Sequence, residues 1–240
     1  MPSPNDTPWG LLSAIAGSDP TRPRLTWYDD QPGPTAGERI ELSGRVLATW
    51  AAKAANLLQE DLDAGPGSVV AVDLPTHWRA AYWLFAVWAV GAQAVVGPAE
   101  GSRPPDVIVT GTPQRWAAAG GPVVAVSLPA LARQWAGEPL PAGTVDEARE
   151  LATYGDGFVP WSAPAAPDPS LAAARTAAEA AGLAPGARVM TSAGPADAVR
   201  SWLPAWTVDG SLVLVRPAGD GHDEERAAQR AAAERVTNRG

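Results

Sequence analysis

The stretch GPGSVVAVDLPTHWRAAYWLFAVWAVGA, residues 65–92, decides how this 240-residue chain folds. Gly65, Pro66 and Gly67 punctuate the chain, and residues 68–74 then form a short, mostly apolar and β-branched run of the kind a buried parallel strand needs. Pro75 ends that run because it has no N–H for the ladder, and Thr76 can cap a following helix. In the helix Trp78, Tyr82, Leu84, Phe85, Val87 and Trp88 cover nearly the whole circumference, which predicts an element enclosed on all sides. A buried strand followed at once by a buried helix is the unit of a layered α/β domain, since parallel strands need crossover connections.

Upstream, Ser43 caps a helix that runs to about Leu62, with Val46, Leu47, Trp50, Ala54, Leu57 and Leu58 on one face. Lys53, the only lysine of the chain, falls at the edge of that face; such lysines lay their methylenes along the surface and keep the ammonium in water. Thr7 and Pro8 mark the cap and first turn of a short helix ending near Gly17, and residues 24–28 and 39–42 read as strands around a Pro/Gly-rich turn. Downstream, residues 95–96, 106–110 and 123–126 are strand candidates. Residues 133–144 and 155–170 have no clear period and read as loops. Asp168 and Pro169 start a helix to about Ala181, residues 188–190, 195–206 and 211–215 continue the strand, helix, strand alternation, and a charged, alanine-rich helix spans about 223–235. The alternation predicts one α/β domain over residues 1–240, with a predominantly parallel sheet layered with helices on both faces.

Composition narrows the function classes. There is no cysteine, which excludes disulfides, thiolate metal sites and a cysteine nucleophile. Two histidines, His77 and His222, leave no basis for a multi-histidine metal site. The net charge is −8 with no basic run, so nucleic acid is not an expected partner. The N-terminus lacks the basic and apolar regions of a signal peptide, and the longest apolar run, residues 80–90, is shorter than the roughly 20 residues a membrane span takes. The expectation is a cytoplasmic protein without a membrane partner.

Residues 42–92 resemble the N-terminal domain of the adenylate-forming superfamily: acyl-CoA synthetases, nonribosomal-peptide adenylation domains and luciferases. The resemblance is carried by Ala55-Asn56-Leu57-Leu58, by Gly65-Pro66-Gly67-Ser68-Val69-Val70, by Leu74-Pro75-Thr76 and by Gly91-Ala92. Ser68 stands for the usual Asp of that pattern and Thr76 for the usual Asn. A second block covers residues 171–215, through Leu183 to Met190, Leu203-Pro204-Ala205-Trp206, Asp209-Gly210 and residues 212–215. Together the blocks account for about half of the chain. Between them the family carries a Ser/Thr- and Gly-rich loop ending in Pro-Lys, whose backbone N–H groups and lysine hold the ATP phosphates. The corresponding residues 155–164, Gly-Asp-Gly-Phe-Val-Pro-Trp-Ser-Ala-Pro, have neither the Ser/Thr-Gly run nor a lysine. The later family elements, including the mobile domain with the catalytic lysine, would lie beyond residue 240. The resemblance thus extends to short, truncated homologues of the superfamily.

What the resemblance implies is a degenerate relative that is not an active ligase: a scaffold for an unidentified protein partner or small ligand, with no catalytic residue and no metal site. No cofactor is expected; ATP or AMP with Mg²⁺ belongs only to the alternative, an AMP- or acyl-adenylate-binding enzyme with a remnant or trans-completed site. A third reading is a structural subunit that oligomerises through its tryptophan-rich faces. Two turns after strands are the candidate anion- or nucleotide-binding positions: Thr191, Ser192 and Gly194 ahead of Pro195, and Thr110, Gly111 and Thr112 ahead of Pro113. In each case the plainer reading is a capped strand-to-helix turn. His77 reads as a helix-end histidine with no nucleophile near it in sequence, and His222 as a solvated helix start.

Overall fold

The parallel strands sort into two sheets rather than one. The computed structural model describes residues 6–96, 103–165, 168–219 and 224–240. It opens with α1 (Pro8–Ser18), where Thr7 Oγ1 accepts the Gly10 N–H at 3.0 Å and Pro8 supplies the preset first turn. β1 (Pro23–Asp29) pairs antiparallel with β2 (Arg39–Ser43), whose last residue caps α2 (Gly44–Glu60). Next come β3 (Val69–Asp73), α3 (Trp78–Ala89), β4 (Gln93–Val96), β5 (Val107–Thr110), β6 (Val123–Ala125), and the short β7 (Val145–Asp146) and α4 (Glu147–Glu150). The second half holds α5 (Pro169–Ala180), β8 (Arg188–Thr191), α6 (Ala198–Ser201), α7 (Leu203–Thr207), β9 (Ser211–Arg216), α8 (Glu224–Ala233) and β10 (Asn238–Arg239).

One sheet has the order β10-β8-β9-β1-β2 and is parallel except for β2; the other, β4-β3-β5-β6-β7, is parallel throughout. α2 and α3 pack on each other, and α3 reaches β1 of the first sheet as well as β3 and β4 of the second. One apolar core therefore joins Leu25, Trp27 and Leu212 of one sheet to Val70, Val72 and Val109 of the other through these helices. Every residue of α3 is buried, as its all-round apolar sequence predicts. No helix among the described residues is long and apolar enough to cross a membrane.

Several local expectations change. Thr76 is not the cap of α3. His77 Nδ1 accepts the Arg79 N–H at 3.1 Å instead, while the Thr76 carbonyl takes the Trp27 indole N–H at 2.9 Å and ties the two sheets together. The helical run expected over residues 195–206 is broken into a 3₁₀ turn (Pro195–Asp197), α6 and α7, because Pro204 cannot donate within a continuous helix. β7, α4 and β10 had no sequence signal. His222 and the expected start of the last helix at 223 lie outside the described residues.

Burial also encloses charge. Glu147 is wholly buried, and its carboxylate receives two bonds from Arg79 Nη1, at 3.1 and 3.3 Å, and one from the Tyr82 hydroxyl. The Arg79 guanidinium lies 4.4 Å over the Trp78 ring. Removing one partner strands the other charge in the core. Glu147→Ala should therefore destabilise the fold by about 3–5 kcal/mol in urea unfolding, and an Arg79→Met, Glu147→Leu double variant should recover most of that loss.

Candidate functional site

Helix α2 presents Lys53, Asn56 and Gln59 three residues apart, which places them in one stripe along its surface. That stripe grips residues 152–161. Lys53 Nζ donates to the carbonyls of Ala152, at 3.2 Å, and Tyr154, and pairs with Asp156 Oδ1 at 2.8 Å. Asn56 Nδ2 donates to the carbonyls of Gly155 and Gly157, at 3.1 and 3.0 Å. Gln59 Nε2 donates to the Val159 carbonyl at 3.3 Å, and its Oε1 accepts the Trp161 N–H at 2.7 Å. The Tyr154 hydroxyl adds a bond to Asp61. The sequence reading of Lys53 is thus overturned: its side chain is only 13% exposed and its ammonium is spent on protein carbonyls rather than water.

The grip sets the direction of every residue in the segment. Phe158 turns inward and meets the Trp9 ring edge-on at 5.6 Å, while Val159 and Trp161 are 79% and 70% exposed. A phosphate cradle needs several N–H groups converging on one point. Here the carbonyls at positions 152, 154, 155, 157 and 159 face α2, the Trp161 N–H is taken, and the one charged residue of 155–164, Asp156, is negative and paired with Lys53.

The two turns singled out in the sequence lie on different sheets, and no hydrogen bond joins them among the described residues. At the end of β5, Asp73 Oδ2 accepts bonds from Thr110 Oγ1 at 2.9 Å, Thr112 Oγ1 at 3.3 Å and Trp116 Nε1 at 2.8 Å; Gly111 N–H goes to the Asp73 carbonyl at 3.3 Å. The protein's own carboxylate fills the place an anion would take. At the end of β8, Thr191 Oγ1 accepts the Ala193 N–H at 3.1 Å, and Gly194 leads into the 3₁₀ turn and the four-residue α6, too short for an effective dipole.

Thr191 and Ser192 open instead on a cleft of ≈ 420 Å³ at the carboxyl ends of β8 and β9, where open α/β sheets bind ligands. It is lined by Met190, Thr191, Ser192 and Val215 from the sheet side and by the charged Glu224, Arg226 and Arg230 of α8 and Arg239 of β10. Asp30, also in the lining, takes two 2.9 Å bonds from Arg230, which hold its carboxyl below the usual range against the opposing effect of burial. Ser192 has no hydrogen-bond partner among the described residues. The sequence reading found Thr191 and Ser192 but not the charged lining, although arginines four apart on one charged helix, Arg226 and Arg230, were its available signal.

His77 has no part in either place. It is fully buried between the rings of Trp27, at 4.2 Å, and Trp78, at 5.5 Å. Burial, then the positive charges of Arg79 and Arg216, hold its pKa well below the ordinary value, so it stays neutral as a helix cap.

No protein-family model matches the chain. It is 36% identical over 255 aligned residues to a TIGR03089 family protein of Mycobacterium tuberculosis, with 99% of each sequence covered. Among solved structures it is similar to an acyl-CoA synthetase of Brucella canis (TM-score 0.73, 17% identity, 97% of this chain and 46% of that one). It is also similar to the acetoacetyl-CoA synthetase of Streptomyces lividans (0.74, 18%, 98% and 42%) and to the N-terminal domain of FACL13 of Mycobacterium tuberculosis (0.65, 14%, 98% and 62%). The chain spans less than two thirds of each of these three, and at such identities the likeness is one of fold.

The depressed pKa of His77 gives a pH signature. Below about 6.5 the unfolded chain binds a proton that the folded chain refuses, so stability is full above that pH and falls below it, by at most about 1.4 kcal/mol per pH unit. His77→Asn keeps a capping side chain and removes the titration. Urea unfolding between pH 7 and pH 5 should show a steeper loss in the wild type than in the variant.

Proposed function

The chain belongs to the TIGR03089 family and has the fold of the N-terminal region of adenylate-forming enzymes, and from that premise we propose that it is a non-catalytic binding protein whose small ligand occupies the cleft at the ends of β8 and β9. The observation that carries this reading is the grip of α2 on residues 152–161. Adenylation needs a held triphosphate with its Mg²⁺ and positive charge at the leaving pyrophosphate. The segment at the proposed phosphate-loop position offers little toward these requirements: residues 155–164 have no lysine, their one charged residue, Asp156, is negative, and the chain's one lysine is already committed to Ala152, Tyr154 and Asp156. The proposed setting is the cytoplasm.

The cleft supports the binding half of the reading. It combines the apolar Met190 and Val215 with the hydroxyls of Thr191 and Ser192 and has more arginines, Arg226, Arg230 and Arg239, than acidic side chains, Asp30 and Glu224, a lining suited to a small organic molecule with an anionic group. That lining is also the observation favouring the second reading, an enzyme that binds AMP or an acyl adenylate and completes its site in trans. The exposed pair Val159 and Trp161 favours the third, a subunit that packs on a partner through this segment.

The purified protein should show no ATP–pyrophosphate exchange above background with any carboxylic acid, and exchange at a measurable rate would overturn the proposal. A thermal-shift screen separates the rest. A ligand bound only by the folded state adds about 2.7 kcal/mol at a hundred times its Kd. A shift with AMP or an acyl adenylate but not with ATP would favour the second reading, and a dimer by gel filtration that Trp161→Ala dissolves would favour the third.

A further inference from the structure

Helix α8 forms one wall of the cleft yet buries none of its 10 residues. A helix normally docks through an apolar stripe, as α5 does with Leu171, Ala174 and Ala178. α8 is attached by charge instead. Arg230 makes its two 2.9 Å bonds to Asp30 and lies 4.2 Å over the Tyr28 ring, and Arg226 reaches Asp30 at 3.5 Å. Glu234, just past the helix, takes bonds from the Tyr28 hydroxyl, from Arg188 and from Arg39 Nη2 at 2.9 Å. At the other end Glu224 pairs with Arg239 at 2.6 Å.

The chain beyond α8 is anchored differently. Arg235 adopts a left-handed turn (φ 52), after which Thr237 N–H donates to the Arg188 carbonyl at 2.9 Å and β10 joins the sheet beside β8. One end of α8 is thus held by a backbone ladder and the rest by side-chain ion pairs, with the cleft beneath them.

We propose that α8 is a charge-latched lid on the cleft, pivoting about the turn at Arg235 and held in place by ion pairs rather than by an apolar face. The role assigned to the lid rests on the reading of the cleft as a ligand site; the latch itself does not. The inner pairs, Arg230–Asp30 and Arg188–Glu234, are largely shielded, but Arg226, Arg39, Arg239 and Glu224 are 42–76% exposed; their pairs weaken as the Debye length shrinks from about 10 Å at 0.1 M salt to about 3 Å at 1 M, a loss apolar burial does not share. The latch should therefore yield to salt while the core does not.

Amide hydrogen exchange on the whole chain, without ligand, tests this. Raising NaCl from about 0.05 M to about 1 M should speed exchange in α8 about tenfold and leave α2, α3 and α5 unchanged. Glu234→Gln, which keeps the shape and removes the charge, should do the same at low salt, and Asp30→Asn provides a second variant should the first fail to fold. An α8 that exchanges equally at both salt concentrations, or that loses protection only together with α2 and α3, overturns the proposal. Failure of the cleft reading shows separately, as a latch that responds to salt in a protein that no small molecule stabilises.

Discussion

The stripe of Lys53, Asn56 and Gln59 on α2 is the constraint that organises the functional face of this protein. Three residues of helix advance about 4.5 Å, whereas two residues of extended chain advance about 6.7 Å. A helix can therefore satisfy an extended segment only if its side chains differ in reach. The short Asn56 sits at the centre and holds Gly155 and Gly157; the longer Lys53 and Gln59 splay outward to residues 152–156 and 159–161. At Gly155 an added Cβ would stand 3.4 Å from Asn56 Nδ2, whereas at Gly157 it would meet open space. In this way α2 replaces the neighbouring strand that the segment lacks, pairing its carbonyls and the Trp161 N–H.

The fold was legible where periodicity speaks for itself. Residues 68–74 and the helix after them announce a buried strand and an enclosed helix, and the cap residues Thr7, Ser43 and Asp168 placed α1, α2 and α5 closely. The separation into two sheets was not legible, because each parallel strand reads as the same apolar run whichever neighbour it pairs with. β7 and β10 have two residues each, too few for a pattern.

The site was less legible, for a different reason. A lysine at the edge of an apolar helix face looks the same in sequence whether water or a distant loop receives its ammonium, and the carbonyls that receive Lys53 lie about a hundred positions away. The turn at Thr110 was recognised as a turn, but its occupant, Asp73, comes from the neighbouring strand. The cleft was missed in part because its charged lining is assembled from Asp30, α8 and β10, which meet only once the first sheet has formed. The structure gives the one lysine of the chain a specific, structural role in holding residues 152–156.

Fold and function diverge at these two places. In the proposed reading, the layered core, similar in fold to acyl-CoA synthetases, places the ends of β8 and β9 as a ligand-binding edge, and the segment clamped to α2 is not used for phosphate chemistry. The most direct test is hydrogen exchange of residues 155–161 in the purified chain, with and without Mg·ATP. The account predicts that the Trp161 amide, bonded to Gln59 Oε1, exchanges slowly and that no amide of residues 155–161 changes when Mg·ATP is added. Amides of this segment that become protected on adding Mg·ATP would show a working phosphate loop and contradict the account.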